Sequence, residues 1–162
     1  ADKLPRFQPH PQLETLRKKA IPWGRKELTA PWTLPDAAET AWEILLEIPA
    51  QQQTGGLLLQ VGSCFALELT LASRTLHAYA RDSGEQTMQD CGTLQLAPGA
   101  PVRLQVFLDR CSAEIFADGK CLSVNVFDTA PLRPVSLIPQ GGTLPLQLLQ
   151  VWQLQHVMEP QT

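Results

Sequence analysis

Alternation of apolar and polar positions dominates the chain from residue 41 onward. Residues 65–71 read FALELTL and residues 102–108 read VRLQVFL, so that every second side chain is apolar. A period of two is typical of a strand that packs one face on a core and turns the other to solvent. Further short apolar stretches lie at residues 41–48, 56–61, 75–81 and 144–157. In the last of these the alternation slips near Gln150, which predicts a bulge or bend there.

Turn residues separate these stretches and fix the fold class. Pro98-Gly99 and Gly141-Gly142 are turn signals, and no long helical pattern interrupts the strands. About nine short strands at such spacings are typical of an antiparallel sandwich. The sequence therefore predicts an all-β, two-sheet antiparallel β-sandwich with a lectin-like or concanavalin-like jelly roll over residues 41–162.

Residues 1–40 differ from the rest and are called the strap below. Prolines interrupt the strap too often for one long helix, at Pro5, Pro9, Pro11, Pro22, Pro31 and Pro35. Residues 12–20 (QLETLRKKA) predict a short helix of about two turns with Leu13 and Leu16 on one side. We expect the remainder to be an irregular, extended linker that packs back from a preceding domain.

One hairpin is predicted in detail, over residues 102–127 (VRLQVFLDRCSAEIFADGKCLSVNVF). Asp118-Gly119 is a two-residue hairpin signal, because both central residues of a type I′ turn need a positive φ. The turn pairs Ala117 with Lys120, and the rest of the register follows from that pair. A slip of one residue would mix the apolar and polar faces, so the pairing is well determined.

The register divides the hairpin's side chains between two faces. The predicted core face carries Cys111, Ala113, Ile115, Leu122, Val124 and Val126, and the other face carries Ser112, Glu114, Ser123 and Asn125, with Phe116 and Cys121 at the turn end. One face of an antiparallel sheet commonly packs on a core in this way. Cys111 and Cys121 point to opposite faces, so we expect no disulfide between them.

Composition and charge narrow the classes of partner. The chain has 162 residues, of which 44% are hydrophobic and 18% charged, and its formal net charge is −3. These values indicate a folded domain without the basic stripe that nucleic acid would require. We expect no membrane partner either, since no apolar run would span a bilayer. Four cysteines without a Cys-x-x-Cys pair predict free thiols rather than a zinc site.

The hairpin also carries a family resemblance. Residues 107–116 (FLDRCSAEIF) resemble the (F/L)-(V/L)-D-R-S-S-(V)-E-(V/I)-F hairpin of glycoside hydrolase family 32, the invertase, levanase and sucrose-6-phosphate hydrolase family. Residues 8–17 (QPHPQLETLR) look like its Q-x-P-x-x-E-L-x-x-L-R passage, and residues 149–154 (LQVWQL) look like its closing strand. The sequence departs at Cys111, where Ser is usual, and at Ala113, where Val is usual.

The resemblance implies a non-catalytic C-terminal module of a β-fructosidase. In the family two carboxylates cleave β-fructosides by a retaining mechanism, and both lie in an N-terminal five-bladed propeller. The family's Asn-Asp-Pro-Asn-Gly, Glu-Cys and Arg-Asp-Pro motifs are absent here; Arg81-Asp82-Ser83 lacks the proline and is interpreted as a strand end. No catalytic residue, cofactor or metal site is therefore assigned. The resemblance also implies a propeller partner, and homodimer contacts and a bacterial cytoplasmic location are further expectations.

Charged residues of the hairpin and two tryptophans are the candidate inter-domain contacts. Asp109, Arg110 and Glu114 either form an ion pair that fixes the hairpin, which is the preferred interpretation, or face the propeller. Trp23 and Trp32 lie in the strap, where they anchor it to the sandwich or to a missing neighbour.

Other aromatic and histidine residues receive structural interpretations. Trp42 and Trp152 lie in strand patterns and are predicted core residues, and the histidines at His10, His77 and His156 show no metal or catalytic spacing. The alternative function is a lectin-like module that binds sucrose or fructan, for which the tryptophans would supply a stacking platform. Because fold alone does not establish function, both hypotheses stay open at this point.

Overall fold

The computed structural model describes residues 5–35, 41–81, 84–125 and 134–155. A six-residue 3-10 helix spans Pro11–Leu16. The described strands are β1 (Arg17–Ile21), β2 (Glu27–Leu28), β3 (Trp32–Thr33), β4 (Trp42–Ile48), β5 (Gly56–Val61), β6 (Phe65–Thr70), β7 (Thr75–Ala80), β8 (Gln89–Gln95), β9 (Val102–Leu108), β10 (Ser112–Ala117), β11 (Lys120–Asn125), β12 (Val135–Gln140), β13 (Leu144–Pro145) and β14 (Leu148–Leu154). Among these residues no helix is long and apolar enough to cross a bilayer.

Two six-stranded antiparallel sheets form a sandwich, which confirms the predicted fold class. Sheet A has the order β1-β14-β4-β9-β10-β11, and sheet B has the order β3-β12-β5-β6-β7-β8. β2 and β13 make a separate two-stranded pair. The strands predicted from alternation supply the centres of both sheets, where each is bonded on two sides.

The core lies between the sheets and follows the period of two. In β9 the core side chains are Val102, Leu104, Val106 and Leu108, all at most 5% exposed. The facing strands of sheet B contribute Leu57, Leu59, Phe65, Leu67, Leu69, Leu76 and Ala78 to the same cluster. Burial of this many apolar side chains is the main source of stability, because each fully buried Leu or Val contributes roughly 1.5–3 kcal/mol.

The hairpin of β10 and β11 has the predicted register. Ala117 pairs with Lys120, and the pairing continues to Ser112 with Asn125. Asp118 (φ 51°) and Gly119 (φ 70°) both take the positive φ that a type I′ turn needs. Cys111 is the exception, since it is exposed and precedes the strand instead of lying on the core face. The predicted partner of Cys111, Val126, lies outside the described residues.

The strap is more regular than predicted. The helix over residues 12–20 is wrong in its second half, because the chain leaves the 3-10 helix at Leu16 and becomes strand β1. Strand β1 pairs with β14, and β3 pairs with β12, so the strap adds one edge strand to each sheet. These pairings join segments more than 100 residues apart, which local sequence patterns do not reveal. The predicted boundary at residue 40 lies outside the described residues.

The closing strand also differs from its prediction. It is divided into β13 and β14, and β14 pairs with β4 in an unbroken register through Gln150, so the bulge predicted there is wrong. The irregularity lies instead in β1, between Arg17 and Lys19 opposite the end of β14. In β14 the side chains of Leu149 and Val151 face the core, and the side chain of Trp152 lies on the outer face of sheet A.

Candidate functional site

The outer face of sheet A carries a buried charge. Glu43 is only 1% exposed although its side chain points away from the core. Its carboxylate accepts two hydrogen bonds from Arg17, Nε to Oε2 and Nη2 to Oε1, each 2.8 Å long, and a third of 2.7 Å from Gln105 Nε2 to Oε1. This bonding raises the pKa of Arg17. A buried carboxylate is tolerated here because it is paired and its oxygens are bonded.

Trp152 belongs to the same arrangement, and its predicted place in the core is wrong. The side chain is half-buried on the outer face, and the Arg17 guanidinium lies over the ring, 3.8 Å from its centroid. Trp42, by contrast, is 2% exposed in the core, as predicted. Phe107 and Phe116 meet edge to face on the same outer face at 6.0 Å. The outer face of sheet A is therefore unusually aromatic for the solvent side of a sheet.

Residues 7–16 of the strap cross this outer face. At one edge the backbone N–H of Phe7 donates to Gly119 O in the hairpin turn, over 2.8 Å. At the other edge, beside the start of β1, Gln155 N–H donates to Leu16 O, also over 2.8 Å. The Arg17–Glu43 pair stands directly after this crossing, so it fixes the strap to the sheet.

A pocket of about 360 Å³ lies where the strap meets the hairpin turn, and it is called the hairpin-tip pocket below. Its size is within the range of small-molecule sites. Charged and aromatic residues from distant parts of the chain line it, namely Arg6, Phe7, Arg74, Arg103, Phe116 and Asp118. Arg6 packs over Gly119, where an added Cβ would come within 3.1 Å of Arg6 Nε. Glycine at this position therefore serves both the turn and the wall of the pocket.

The structure separates the predicted contact residues into two groups. Asp109 and Arg110 form the turn between β9 and β10, at the end of sheet A opposite the hairpin-tip pocket; Asp109 Oδ1 accepts from Arg110 N at 2.6 Å. Glu114 is exposed on the outer face of sheet A, across from Phe107. Glu114 thus lies on the outer face, whereas Asp109 and Arg110 lie at one end of the sheet.

Trp23 and Trp32 form the second group. Their rings lie 4.6 Å apart with a tilt of 51°, and both pack partly buried against the core. Trp32 is in the edge strand β3, whereas Trp23 follows β1. Within the described ranges the buried Nε1 of Trp23 has no hydrogen-bond partner. The pair packs the strap against the sandwich core, and a contact of these tryptophans with a neighbouring domain stays a prediction.

The described histidines have structural contacts. His10 Nδ1 caps the 3-10 helix by accepting from Gln12 N at 3.2 Å. His77 Nε2 lies 2.7 Å from Asp90 Oδ2, and its ring stacks on Tyr79 at 4.4 Å. Burial, with the carboxylates of Glu68 and Asp90, raises the pKa of Tyr79. His156 lies outside the described residues, as do Asp82 and Ser83 of the Arg81 triplet.

Metal chemistry finds no support in the part of the chain that the structure covers. Nowhere in the described ranges do three or more His, Cys, Asp or Glu side chains come together in a way that could hold a metal ion. The cysteines at positions 64, 91, 111 and 121 are free thiols. The arrangements that remain as candidate sites are thus the outer face of sheet A and the hairpin-tip pocket.

Sequence reasoning missed the residues that define both arrangements. Glu43 is a charge inside the apolar run AWEILLEI, and such a position is a signal for a paired buried carboxylate. Nothing local, however, identifies Arg17 as its partner, 26 positions away. Arg6 and Arg103 likewise line one pocket only because the fold brings distant segments together.

Comparison with known proteins agrees with this architecture. Solved structures with the same fold include an exo-inulinase from Aspergillus awamori (TM-score 0.70, 15% identity, 94% of this chain and 33% of that chain). A sucrose-6-phosphate hydrolase from Lactobacillus gasseri is equally similar (TM-score 0.69, 17% identity, 94% and 31%). Sheep galectin-11 in complex with glycerol is a more distant match (TM-score 0.51, 11% identity, 76% and 98%). The chain spans about a third of the length of the two hydrolases.

At the level of sequence, no curated protein matches the chain. The family model described as "Glycosyl hydrolases family 32 C terminal" matches residues 12–153, which is most of the chain and includes the hairpin that carries the resemblance. This chain therefore belongs to the family of glycosyl hydrolase family 32 C-terminal domains.

Proposed function

We propose that this chain is the non-catalytic sandwich of a β-fructosidase, where it stabilises a catalytic five-bladed propeller. The observation that carries the proposal is the family match over residues 12–153 of a chain that spans a third of its solved relatives. Those relatives are an exo-inulinase and a sucrose-6-phosphate hydrolase, so sucrose, sucrose 6-phosphate and fructans are the substrates proposed for the whole protein. We also propose a bacterial cytoplasmic location, with which the free thiols are compatible.

The outer face of sheet A, together with the strap that crosses it, is the surface proposed to face the propeller. It carries half-buried aromatic side chains and the exposed carboxylate of Glu114, and Asp109 and Arg110 border it. The Arg17–Glu43 pair holds the strap on this face. Trp23 and Trp32 are proposed as further contacts at the strap.

The test compares the isolated chain with the complete parent enzyme. We expect the chain alone to release no fructose from sucrose above a blank, because the paired carboxylates of the mechanism are missing. In the parent, Arg110→Ala with Glu114→Gln should lower Tm, whereas Glu68→Gln on the exposed face of sheet B serves as the matched control. Fructose release by the isolated chain would refute the proposal, and equal Tm values for the two variants would refute the assigned face.

Self-association of the isolated chain is a related proposal. Phe7 is 55% exposed beside the hairpin-tip pocket, and apolar surface left without its neighbour favours contact between copies. We expect dimers in sedimentation at high protein concentration. A strict monomer over the whole concentration range would contradict a homodimer contact.

Sugar binding is the second candidate function. The observation in its favour is the Trp23–Trp32 pair, whose half-buried rings lie 4.6 Å apart near the surface. Titration calorimetry with sucrose, inulin and levan oligosaccharides tests it, with Trp32→Ala as the variant that should lose the heat. No heat at millimolar ligand would reject this candidate.

A further inference from the structure

The hairpin-tip pocket is positively charged in a protein that is negative overall. Three arginines line it, Arg6, Arg74 and Arg103, against one acidic residue, Asp118, and in the described part of the chain only Arg103 of these arginines contacts a further carboxylate, that of Glu47. The Asp118 carboxylate is already engaged, since Oδ2 accepts the N–H of Ala97 at 2.9 Å. The formal net charge of the chain is −3. A local concentration of arginine in such a chain favours an anionic ligand at this place.

The three arginines differ in how far they are available to a ligand. Arg74 holds the wall of the pocket, because its guanidinium donates to Ala97 O at 3.0 Å and to Ala100 O at 2.7 Å. Arg103 has one long contact of 3.4 Å, to Glu47, and its side chain is 57% exposed. Arg6 makes no hydrogen bond or ion pair with its side chain within the described ranges. Arg6 and Arg103 therefore have donors free for an anion, and guanidinium groups match phosphate oxygens well.

The size and walls of the pocket indicate that the anion has an organic body. A volume of about 360 Å³ is far larger than an inorganic phosphate needs. Phe7 and Phe116 supply aromatic surface, on which the C–H face of a sugar ring can pack. Gln8 lines the same pocket, and its amide can bond hydroxyl groups, whereas the amide nitrogen of Gln105 already donates to Glu43.

We propose that the hairpin-tip pocket binds a sugar phosphate, with the phosphate between Arg6 and Arg103 and the sugar against Phe7 and Phe116. The charge argues against a neutral sugar, and the volume and aromatic walls argue against a bare phosphate. The strap supplies one wall, so a bound ligand would also hold the strap on the sheet. Arg103, Gln105 and Phe116 of this pocket lie on the outer face of sheet A that is proposed to face the propeller, and ligand binding can be measured on the 162-residue chain itself.

The experiment is titration calorimetry of the chain with fructose 6-phosphate, fructose, inorganic phosphate and adenosine monophosphate. We expect fructose 6-phosphate to bind at least tenfold more tightly than the other three. Arg6→Gln and Arg103→Gln should each weaken this binding at least tenfold. Arg25→Gln, an exposed arginine in the loop after β1, is the matched control and should leave binding unchanged. Thermal unfolding of each variant shows that it is folded.

Each other outcome contradicts the proposal in a distinct way. Equal binding of inorganic phosphate would mean that the pocket attracts any anion. Equal binding of fructose would mean that the arginines do not contribute to binding. Tighter binding of adenosine monophosphate would mean that the pocket recognises a nucleobase in addition to the sugar and the phosphate. No heat for any ligand at millimolar concentration would reject the site altogether, while leaving the proposed structural function untouched.

Discussion

Arg17 and Glu43 are joined across a strand that belongs to neither of them. Arg17 begins β1 and Glu43 lies in β4, with β14 between them, and Arg17 reaches over the ring of Trp152 to form two hydrogen bonds of 2.8 Å. The pair therefore fastens the strap to two inner strands at once. Glu43 is 1% exposed and the Arg17 side chain 22% exposed, so the contact is shielded from solvent and salt.

Glu43→Gln is the first variant that we expect to be strongly destabilised. It keeps the shape of the side chain but leaves the shielded guanidinium of Arg17 without its counter-charge. Breaking a buried pair on one side costs about 3–5 kcal/mol, and the remaining exposure of Arg17 favours the lower end. The free energy of unfolding in urea measures the loss.

Glu47→Gln is the matched control for this variant. Glu47 contacts Arg103 at 3.4 Å, with side chains 27% and 57% exposed, so its loss should cost less than about 1 kcal/mol. The double variant Arg17→Met, Glu43→Leu should recover most of the stability, because it removes both charges together. If Glu43→Gln and Glu47→Gln unfolded at the same urea concentration, the pair would have no special role in holding the strap.

The His77–Asp90 contact on sheet B predicts a contribution to folding stability that depends on pH in the acid range. The contact of His77 Nε2 with Asp90 Oδ2 at 2.7 Å, and then the hydrogen bond from the backbone N–H of Gly92, lower the pKa of Asp90. A carboxyl with a lower pKa in the folded state stabilises the fold above its unfolded pKa of about 3.9. This contribution to stability is lost as the pH falls through the pKa that Asp90 has in the folded state.

Titration of the Asp90 carboxyl carbon by NMR checks this direction. His77→Phe should raise the pKa of Asp90, because it removes the first cause of the shift. Tyr79→Phe keeps the ring stack and the His77 contact, so it should leave the pKa of Asp90 unchanged. An equal pKa of Asp90 in wild type and His77→Phe would show that the contact does not form in solution.

The difference between what the sequence predicts and what it misses is one of distance along the chain. The β10–β11 register follows from Asp118-Gly119 because the paired residues are neighbours, and its alternation leaves only one acceptable pairing. Strand β1 has the sequence RKKAI, which shows no apolar periodicity that would predict a strand. Its partner β14 lies more than 120 residues later in the chain. Edge strands often carry such charged side chains.

The candidate sites are not predictable from the sequence either, because their residues are far apart along the chain. The hairpin-tip pocket is assembled from four segments, which include the strap at Arg6 and the turn at Arg74. The pattern over residues 144–157 predicts one long strand with Trp152 in the core, whereas β13 and β14 are separate strands and Trp152 lies on the outer face. Periodicity assigns faces within a strand, and it fails when a strand break is missed.

The cysteines should react with iodoacetamide in an order set by burial. Cys111 is exposed, while Cys64 is 1% exposed in the core. Burial, more than the nearby Glu114, raises the pKa of the half-buried Cys121 thiol, so less reactive thiolate is present at neutral pH. We expect Cys111 to be modified first and Cys64 last, as followed by mass spectrometry. Unfolded protein, in which all four cysteines are accessible, is the control. Modification of Cys121 as fast as Cys111 would mean that the outer face of the hairpin is exposed to solvent at Cys121.

Gly119→Ala should damage the turn and the strap together. Gly119 has a φ of 70°, where an L side chain costs roughly 1–2 kcal/mol, and the added Cβ would lie 3.1 Å from Arg6 Nε. Gly99→Ala is the matched control, since Gly99 has a φ of 75° but open space around its Cβ position. Both variants should lose similar stability from the backbone, and only Gly119→Ala should displace Arg6.

Hydrogen exchange of the Phe7 amide separates the two effects. This amide donates to Gly119 O, so its protection reports whether the strap stays on the hairpin turn. Gly119→Ala should reduce that protection severalfold beyond Gly99→Ala, and it should weaken sugar-phosphate binding in the pocket because Arg6 moves. Equal protection in the two variants would show that the strap does not depend on the absence of a side chain at Gly119, and that the wall formed by Arg6 adapts.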